Sequence, residues 1–366
     1  MSQTALPAEH GPHAPRSRPR AQLSIYRPTA RHGGVRKLFV RHKFTAPFCV
    51  ILLLIGATEV ADNRVHAQPL QRVVIAYPSR SIGSIHSFIA QDRGFFREEG
   101  LDAQLVQVRG TAAAAATISG DALAFEGMGS AMGVIQRGAP LKIITVSLFR
   151  PLFWLVARSE FKSIGDLKGK IMGTTTFGGV QHLTGLRMLR KGGLNPDKDV
   201  TVIQVGDVPT QLQALVNGTI HFGLLSPPTV IAARDKFKMN LLGTATEEFL
   251  GFQNGLAVHD RTLGKDRDLL KRLVRARSKA NQYFWRNEKG TAETLAKYLR
   301  VELPIAIESY RLSRPAYTTD GIPQAKDIDE MIRMDAGVLN LSDPLPAARV
   351  FDFALQRQMN DELGIK

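Results

Sequence analysis

Few of the side chains that do covalent or metal chemistry lie beyond the first 67 residues of this sequence. Its one cysteine is Cys49, and five of its nine histidines precede residue 68, leaving His86, His182, His221 and His259. No two of these four have the i, i+4 or HExxH spacing of a metal-binding helix. After residue 49 there is no thiol nucleophile, disulfide, cysteine zinc site or iron–sulfur cluster, and neither metal nor cofactor is expected.

What remains is hydrogen-bonding chemistry at glycine-bearing turns. Ser79-Arg80-Ser81-Ile82-Gly83 follows an apolar run and precedes a helical pattern, and Gly127-Met128-Gly129-Ser130 follows another such run. Thr174-Thr175-Thr176-Phe177-Gly178-Gly179 offers three hydroxyls and an aromatic ring before a helix start, and Ser226-Pro227 closes a later strand pattern. By composition alone each stretch also reads as an ordinary surface turn or a tight strand-to-helix corner. Three successive threonines cannot all face one way on a strand.

The elements that carry these turns alternate as in an α/β protein. Arg72–Tyr77 reads as a strand ended by Pro78, followed by a helix capped by Ser84 with Ile85, Phe88 and Ile89 on one face. Further strands are expected at 105–108, 123–125, 141–146, 153–157, 170–174 and 200–203, with helices at 111–119 and 180–191. The helix-to-strand passage Ile118-Ser119-Gly120-Asp121 has a counterpart at Val216-Asn217-Gly218-Thr219, about a hundred residues on. Gly120 and Gly218 both suit a left-handed helix stop, and each following strand is expected to run into a loop. After Asp260 the pattern turns helical.

The net charge of +15 is unevenly placed: residues 1–67 carry ten Lys and Arg against three acids, a net of +7. The rest is mildly basic with no arginine block tied to aromatics, so nucleic acid is not an expected partner. Arg36, Lys37, Arg41 and Lys43 precede the apolar run Ala46–Ala57, and Val65-His66-Ala67 follows it, the order of a secretory signal cleaved near Ala67. The run is too short for a membrane span. Residues 1–34 are long and rich in Pro, Arg and His for such a leader; a translation start at Val35 is one explanation, a long leader the other. Lys265, Arg267, Lys271, Arg272, Arg275, Arg277 and Lys279 alternate with leucines at helical spacing, the pattern of a solvated face, with docking to a transporter or acidic headgroups as the alternative.

The stretch Gly94-Phe95-Phe96-Arg97-Glu98-Glu99-Gly100-Leu101 resembles the signature after the first helix of ABC-transporter periplasmic binding proteins for nitrate, sulfonates, taurine and thiamine-type pyrimidines. Gly120-Asp121-Ala122, Gly127–Ser130, Ile164–Lys170 and the Gly218 unit follow in the order of that family, from roughly Arg72 to Met359. The resemblance implies a two-lobed type II periplasmic-binding-protein fold, each lobe a mixed sheet flanked by helices with a ligand cleft between them. Residues 68–152 with 256–366 would form lobe 1 and 153–255 lobe 2, with crossings near Pro151–Trp154 and Phe252–Ala257.

In such a clamp ligands sit at loops after strands and at helix N-termini, where backbone N–H groups favour anions and polar heads. The resemblance therefore makes Ser79, Arg80, Ser81, Ile82, Gly83, Gly127, Met128, Gly129, Ser130, Thr174, Thr175, Thr176, Phe177, Gly178, Ser226 and Pro227 candidate ligand contacts. Trp154 and Phe252 would be apolar walls, with a packed core position as the alternative for Trp154. Arg80 is the residue expected to contact a carboxylate, sulfonate or phosphate. The function implied is a non-catalytic, monomeric periplasmic protein that hands a small polar or anionic solute to an ABC permease with its ATPase. A pyrimidine-precursor protein of the same fold and a ligand sensor for a membrane receptor are the alternatives; the iron site expected of the pyrimidine synthases has no cysteine here.

Overall fold

The computed structural model describes residues 69–365; the expected signal, its cleavage near Ala67 and a start at Val35 lie outside them. Ten strands are formed: β1 (Gln71–Tyr77), β2 (Leu101–Gln107), β3 (Ala124–Gly127), β4 (Leu141–Leu148), β5 (Trp154–Ala157), β6 (Lys170–Thr174), β7 (Val200–Gln204), β8 (Phe222–Leu225), β9 (Asn240–Thr244) and β10 (Asn254–His259). They build two five-stranded sheets, in the orders β2-β1-β3-β10-β4 and β7-β6-β8-β5-β9.

The two sheets follow one plan. β1 pairs in parallel with β2 and β3, as β6 does with β7 and β8. In each sheet the fourth strand runs antiparallel to both neighbours: β10 between β3 and β4, and β5 between β8 and β9. The chain leaves the first sheet after Leu148, enters the second at Trp154, and returns between Thr244 and Asn254. Strand edges thus point both sets of strand-to-helix turns toward the space between the lobes.

Local chemistry explains the turns. β1 stops before Pro78, which has no N–H to donate. Ser81 Oγ then accepts from Gly83 N at 3.4 Å, opening a short 3-10 turn that runs into the helix Ile85–Asp92, whose Ile85, Phe88 and Ile89 are buried. Gly120 ends the helix Gly110–Ser119 with φ +95°, and Gly218 repeats the device with φ +75° after Val208–Val216. A Cβ at either would be strained, which is why glycine recurs at both.

Four differences from the sequence expectations stand out. β2 starts at Leu101 rather than 105, because Leu101 and Ala103 alternate inward while the whole of β1 pairs alongside. Gly127–Ser130 is not a loop: a helix, Met128–Ile135, begins directly after β3, and Ser226-Pro227-Pro228 leads at once into Thr229–Asp235. Phe252 is fully buried in the core of the first lobe, ring to edge with Phe351 at 5.9 Å, and is no cleft wall. The basic helix Arg267–Arg286 is not uniformly solvated, since Arg277 is only 4 % exposed and pairs with Glu126 inside the protein. The remaining cations are largely tied down: Arg275 and Lys279 reach Glu99, and Lys271 reaches Glu362.

Candidate functional site

The two sets of turns meet around an inner cavity of about 70 Å³. The first lobe contributes the Pro78–Ser84 turn, Gly110 and Gly127–Ser130; the second contributes Thr175, Thr176, Gly179–Gln181 and Val208. Phe153, Gln253 and Asn254 line it from the two chain crossings. Of the expected contacts, Ser79, Ser81, Gly83, Gly127, Met128, Gly129, Ser130, Thr175 and Thr176 are brought together here.

The others are placed elsewhere. Arg80 is exposed and does not line the cavity; with hydrogen bonds from Thr210 and Gln107, and against the opposing effect of burial, it helps hold the Asp207 carboxyl below its usual range. Ile82 is core, with its N–H reaching Pro227 O at 3.4 Å. Thr174 is buried behind the wall and donates to Gln181 Oε1 at 3.3 Å. Ser226 is buried with no partner for its hydroxyl, and Trp154 is half-buried on β5 away from the lining. Phe177 and Gly178 line a second, outer cavity of about 810 Å³ that shares Ser130 with the first.

Two helices begin at the inner cavity without a side-chain cap, Met128–Ile135 after Gly127 and Val180–Lys191 after Gly179, whereas Ile85–Asp92 continues the 3-10 turn that Ser81 caps. One uncapped start belongs to each lobe. Val208–Val216, also at the cavity, is capped by Asp207, which accepts from Thr210 N at 3.1 Å. First-turn N–H groups have no partner within their helix and carry the positive end of its dipole. The inner cavity therefore has a donor-rich lining, and it includes no lysine, arginine, aspartate or glutamate.

The lining is held from behind. Gln181 donates to Leu224 O at 2.6 Å and accepts from Thr175 N at 2.7 Å, which fixes the threonine turn against β8. Gln253 Oε1 accepts from Leu152 N at 2.7 Å, joining the two crossings. Asn254 pairs across β10 with Gly127 and donates through Nδ2 to Glu126 Oε2 at 3.4 Å. Glu126 in turn accepts from Ser87 at 2.5 Å and from Arg277, so a buried ion pair sets the amide that faces the cavity. Burial, with Arg277 near, drives the pKa of His86 well down, and the imidazole beside this network is neutral.

Hydrogen bonds join the two lobes at several points. Ser79 Oγ accepts from Val208 N at 3.3 Å, Gln107 Nε2 donates to Asp207 at 3.0 Å, and Arg234 Nη2 donates to Glu308 at 3.0 Å. Arg187 Nη2 donates to Asp335 Oδ1 at 3.2 Å, the carboxylate buried and the guanidinium half-buried. This is a shut arrangement.

Sequence reasoning assigned no site role to Gly110, Gln181, Val208, Gln253 or Asn254. Gln253-Asn254 carries a signal in retrospect, a polar pair interrupting an apolar run from Phe252 to Val258. Gln181 lies one residue into the helix that follows Gly179. Gly110 and Val208 give no local sign, because each matters only through the opposite lobe.

Two sheets of this order, crossed twice by the chain, define the two-lobed fold of the periplasmic binding proteins. A structure from Bordetella bronchiseptica RB50 superposes with a TM-score of 0.71 at 19% identity, over 80% of this chain and 98% of that one. The alkanesulfonate-binding protein SsuA of Xanthomonas axonopodis pv. citri gives 0.64 at 17%, covering 76% and 98%, and the nitrate-binding protein NrtA of Synechocystis PCC 6803 gives 0.66 at 13%, covering 80% and 89%. Residues 82–289, more than half of the chain, match the NMT1/THI5-like family model, and the chain belongs to that family. YtlA of Bacillus subtilis (strain 168), provisionally named a binding protein, is 28% identical over 167 residues; these make up 44% of this chain, which spans about half the length of that relative. SsuA and NrtA are named as binding proteins. Among the described residues no helix is long and apolar enough to cross a membrane, and no three His, Cys, Asp or Glu stand together where they could hold a metal ion.

Proposed function

We propose that this protein is the exported solute-binding component of an ABC importer, taking up a small polar or anionic organic solute and presenting it to a membrane permease with its ATPase. Residues 1–67 serve as a secretory leader, and the mature chain works in the periplasm. Residues 68–152 with 256–366 act as one lobe and 153–255 as the other, rocking about the crossings near Leu152 and Gln253. The proposal rests on one observation: uncapped helix starts, one from each lobe at Met128 and at Val180, converge on one uncharged, donor-rich cavity. Acceptor oxygens of a solute would complete those helix starts from both sides at once, so that binding and closure reinforce each other. Sulfonate and nitrate, the solutes named for SsuA and NrtA, are oxygen-rich anions of this type.

The test is thermal denaturation of the protein against a panel of sulfonates, carboxylates, nitrate and pyrimidines, with small-angle scattering on any hit. A solute at about 100 times its dissociation constant adds about 2.7 kcal/mol to stability and should also shrink the radius of gyration. A panel that moves neither quantity, with turnover of one member, would replace binding by catalysis.

A further inference from the structure

The outer cavity, of about 810 Å³, lies between the lobes and carries the charge that the inner one lacks. Arg137 and Arg333 line it from the first lobe and Arg190 and His182 from the second, and Asp197 is the only carboxylate among the described residues around it. Asp197 answers Arg190 at 3.6 Å. Arg137 donates to Gly133 O of the preceding helix at 2.8 Å, and neither it nor Arg333 pairs with a carboxylate among the described residues. His182 Nδ1 accepts from Gly178 N at 3.1 Å, and burial lowers its pKa against the pull of Asp197, so the ring is neutral with its proton on Nε2.

Three guanidinium groups against one carboxylate leave the walls with an excess of positive charge. Elsewhere along the join a cation on one lobe meets a carboxylate on the other, as Arg234 does Glu308 and Arg187 does Asp335. Here cations approach from both sides. Shutting the lobes brings like charges toward one space, which opposes closure until an anion of two or more charges enters and reverses the sign. At the join with the inner cavity Gly129 lies on Val180 and Gly110 on Thr176, without room for so much as a Cβ. The outer space is therefore a compartment of its own.

We propose that the outer cavity is a second ligand site, taking a small multivalent oxyanion, a polycarboxylate or a phosphate compound, that bridges Arg137 and Arg333 to Arg190. Planar guanidinium groups grip carboxylate and phosphate oxygens two at a time. The bound anion ties one lobe to the other and favours the shut arrangement whether or not the inner cavity is filled. This inference goes beyond the solute-binding reading, because the outer site needs no inner solute.

The experiment is calorimetric titration of the full chain with citrate, pyrophosphate and acetate at one fixed ionic strength. Citrate or pyrophosphate is expected to bind at least roughly tenfold more tightly than acetate, and which of the two binds tells a polycarboxylate site from a phosphate site. Arg137→Gln/Arg333→Gln in the first lobe and Arg190→Gln in the second should each weaken that binding by about tenfold or more. All three arginines are exposed, so the variants should keep the unliganded melting temperature. The basic residues 1–67 are the same in every variant, so a loss of affinity reports the cavity. Binding of neither polyanion, binding no tighter than acetate, or affinity that survives the double variant would each overturn the site. Affinity that survives Arg190→Gln would overturn the bridge between lobes. Stabilisation by short sulfonates or nitrate reads the inner cavity separately, so the solute-binding reading stands or falls without these titrations.

Discussion

Gly129 of the first lobe lies against the backbone of Val180 in the second: a Cβ built on Gly129 would stand 2.6 Å from Val180 N. No side chain at 129 fits that approach, and the contact forms only when the lobes are shut. Since Gly129 lies in the first turn of its helix with no positive φ, alanine there is not intrinsically unfavourable. Gly129→Ala should therefore leave unfolding of the solute-free protein within about 0.5 kcal/mol of wild type while weakening solute binding by about tenfold or more. Parallel urea titrations and calorimetry measure both; unchanged affinity would mean that closure does not need this contact.

Arg277 and Glu126 are the buried charges behind the cavity, 3 % and 0 % exposed at their side chains. Arg277→Leu strands a carboxylate in the core, with an expected loss of about 3–5 kcal/mol in urea denaturation. Glu126→Gln with Arg277→Leu should recover much of that loss, because no lone charge remains. The double variant should still bind solute more weakly than wild type, since a neutral glutamine accepts from the amide of Asn254 less strongly than the Glu126 carboxylate.

Burial pushes Asp335 up to about 7 despite the charge and hydrogen bond of Arg187. A carboxyl raised above its unfolded value stabilises the fold in its protonated form. That contribution is complete below pH of about 4 and is lost as pH rises through about 7, at up to about 1.4 kcal/mol per pH unit. Urea midpoints of wild type and Asp335→Asn, measured between pH 5 and pH 8, should diverge in slope, with the asparagine variant the flatter. Parallel slopes would remove Asp335 from the pH response.

Gln181 is almost wholly buried and holds both Leu224 O and Thr175 N. Gln181→Leu leaves those two backbone groups without partners, at about 1–3 kcal/mol each. Amide hydrogen exchange at Thr175 and Thr176 should accelerate more than exchange in β1, because the threonine turn loses its anchor while the first sheet is untouched. Equal acceleration everywhere would indicate global destabilisation instead.

The helices that start at Met128 and Thr229 and the strand Asn240–Thr244 could not be read from the sequence; the strands up to Val200–Gln204, the helix Val180–Lys191, the stops at Gly120 and Gly218 and the turn that carries Ser81 could. These features depend on neighbours within a few residues: apolar periodicity, the missing N–H of proline, the freedom of glycine at positive φ. The tertiary structure alone decided which turns face each other. Asn254 lies beside Gly127, Gly129 against Val180 and Arg277 on Glu126, pairs separated by 51 to 151 residues whose contact is set by sheet order and lobe packing. Spacing along the chain put Arg80 at the site and Arg277 on the surface; the packed lobes exposed the first and buried the second. A charged side chain's surroundings are supplied by distant segments, and no local pattern encodes them.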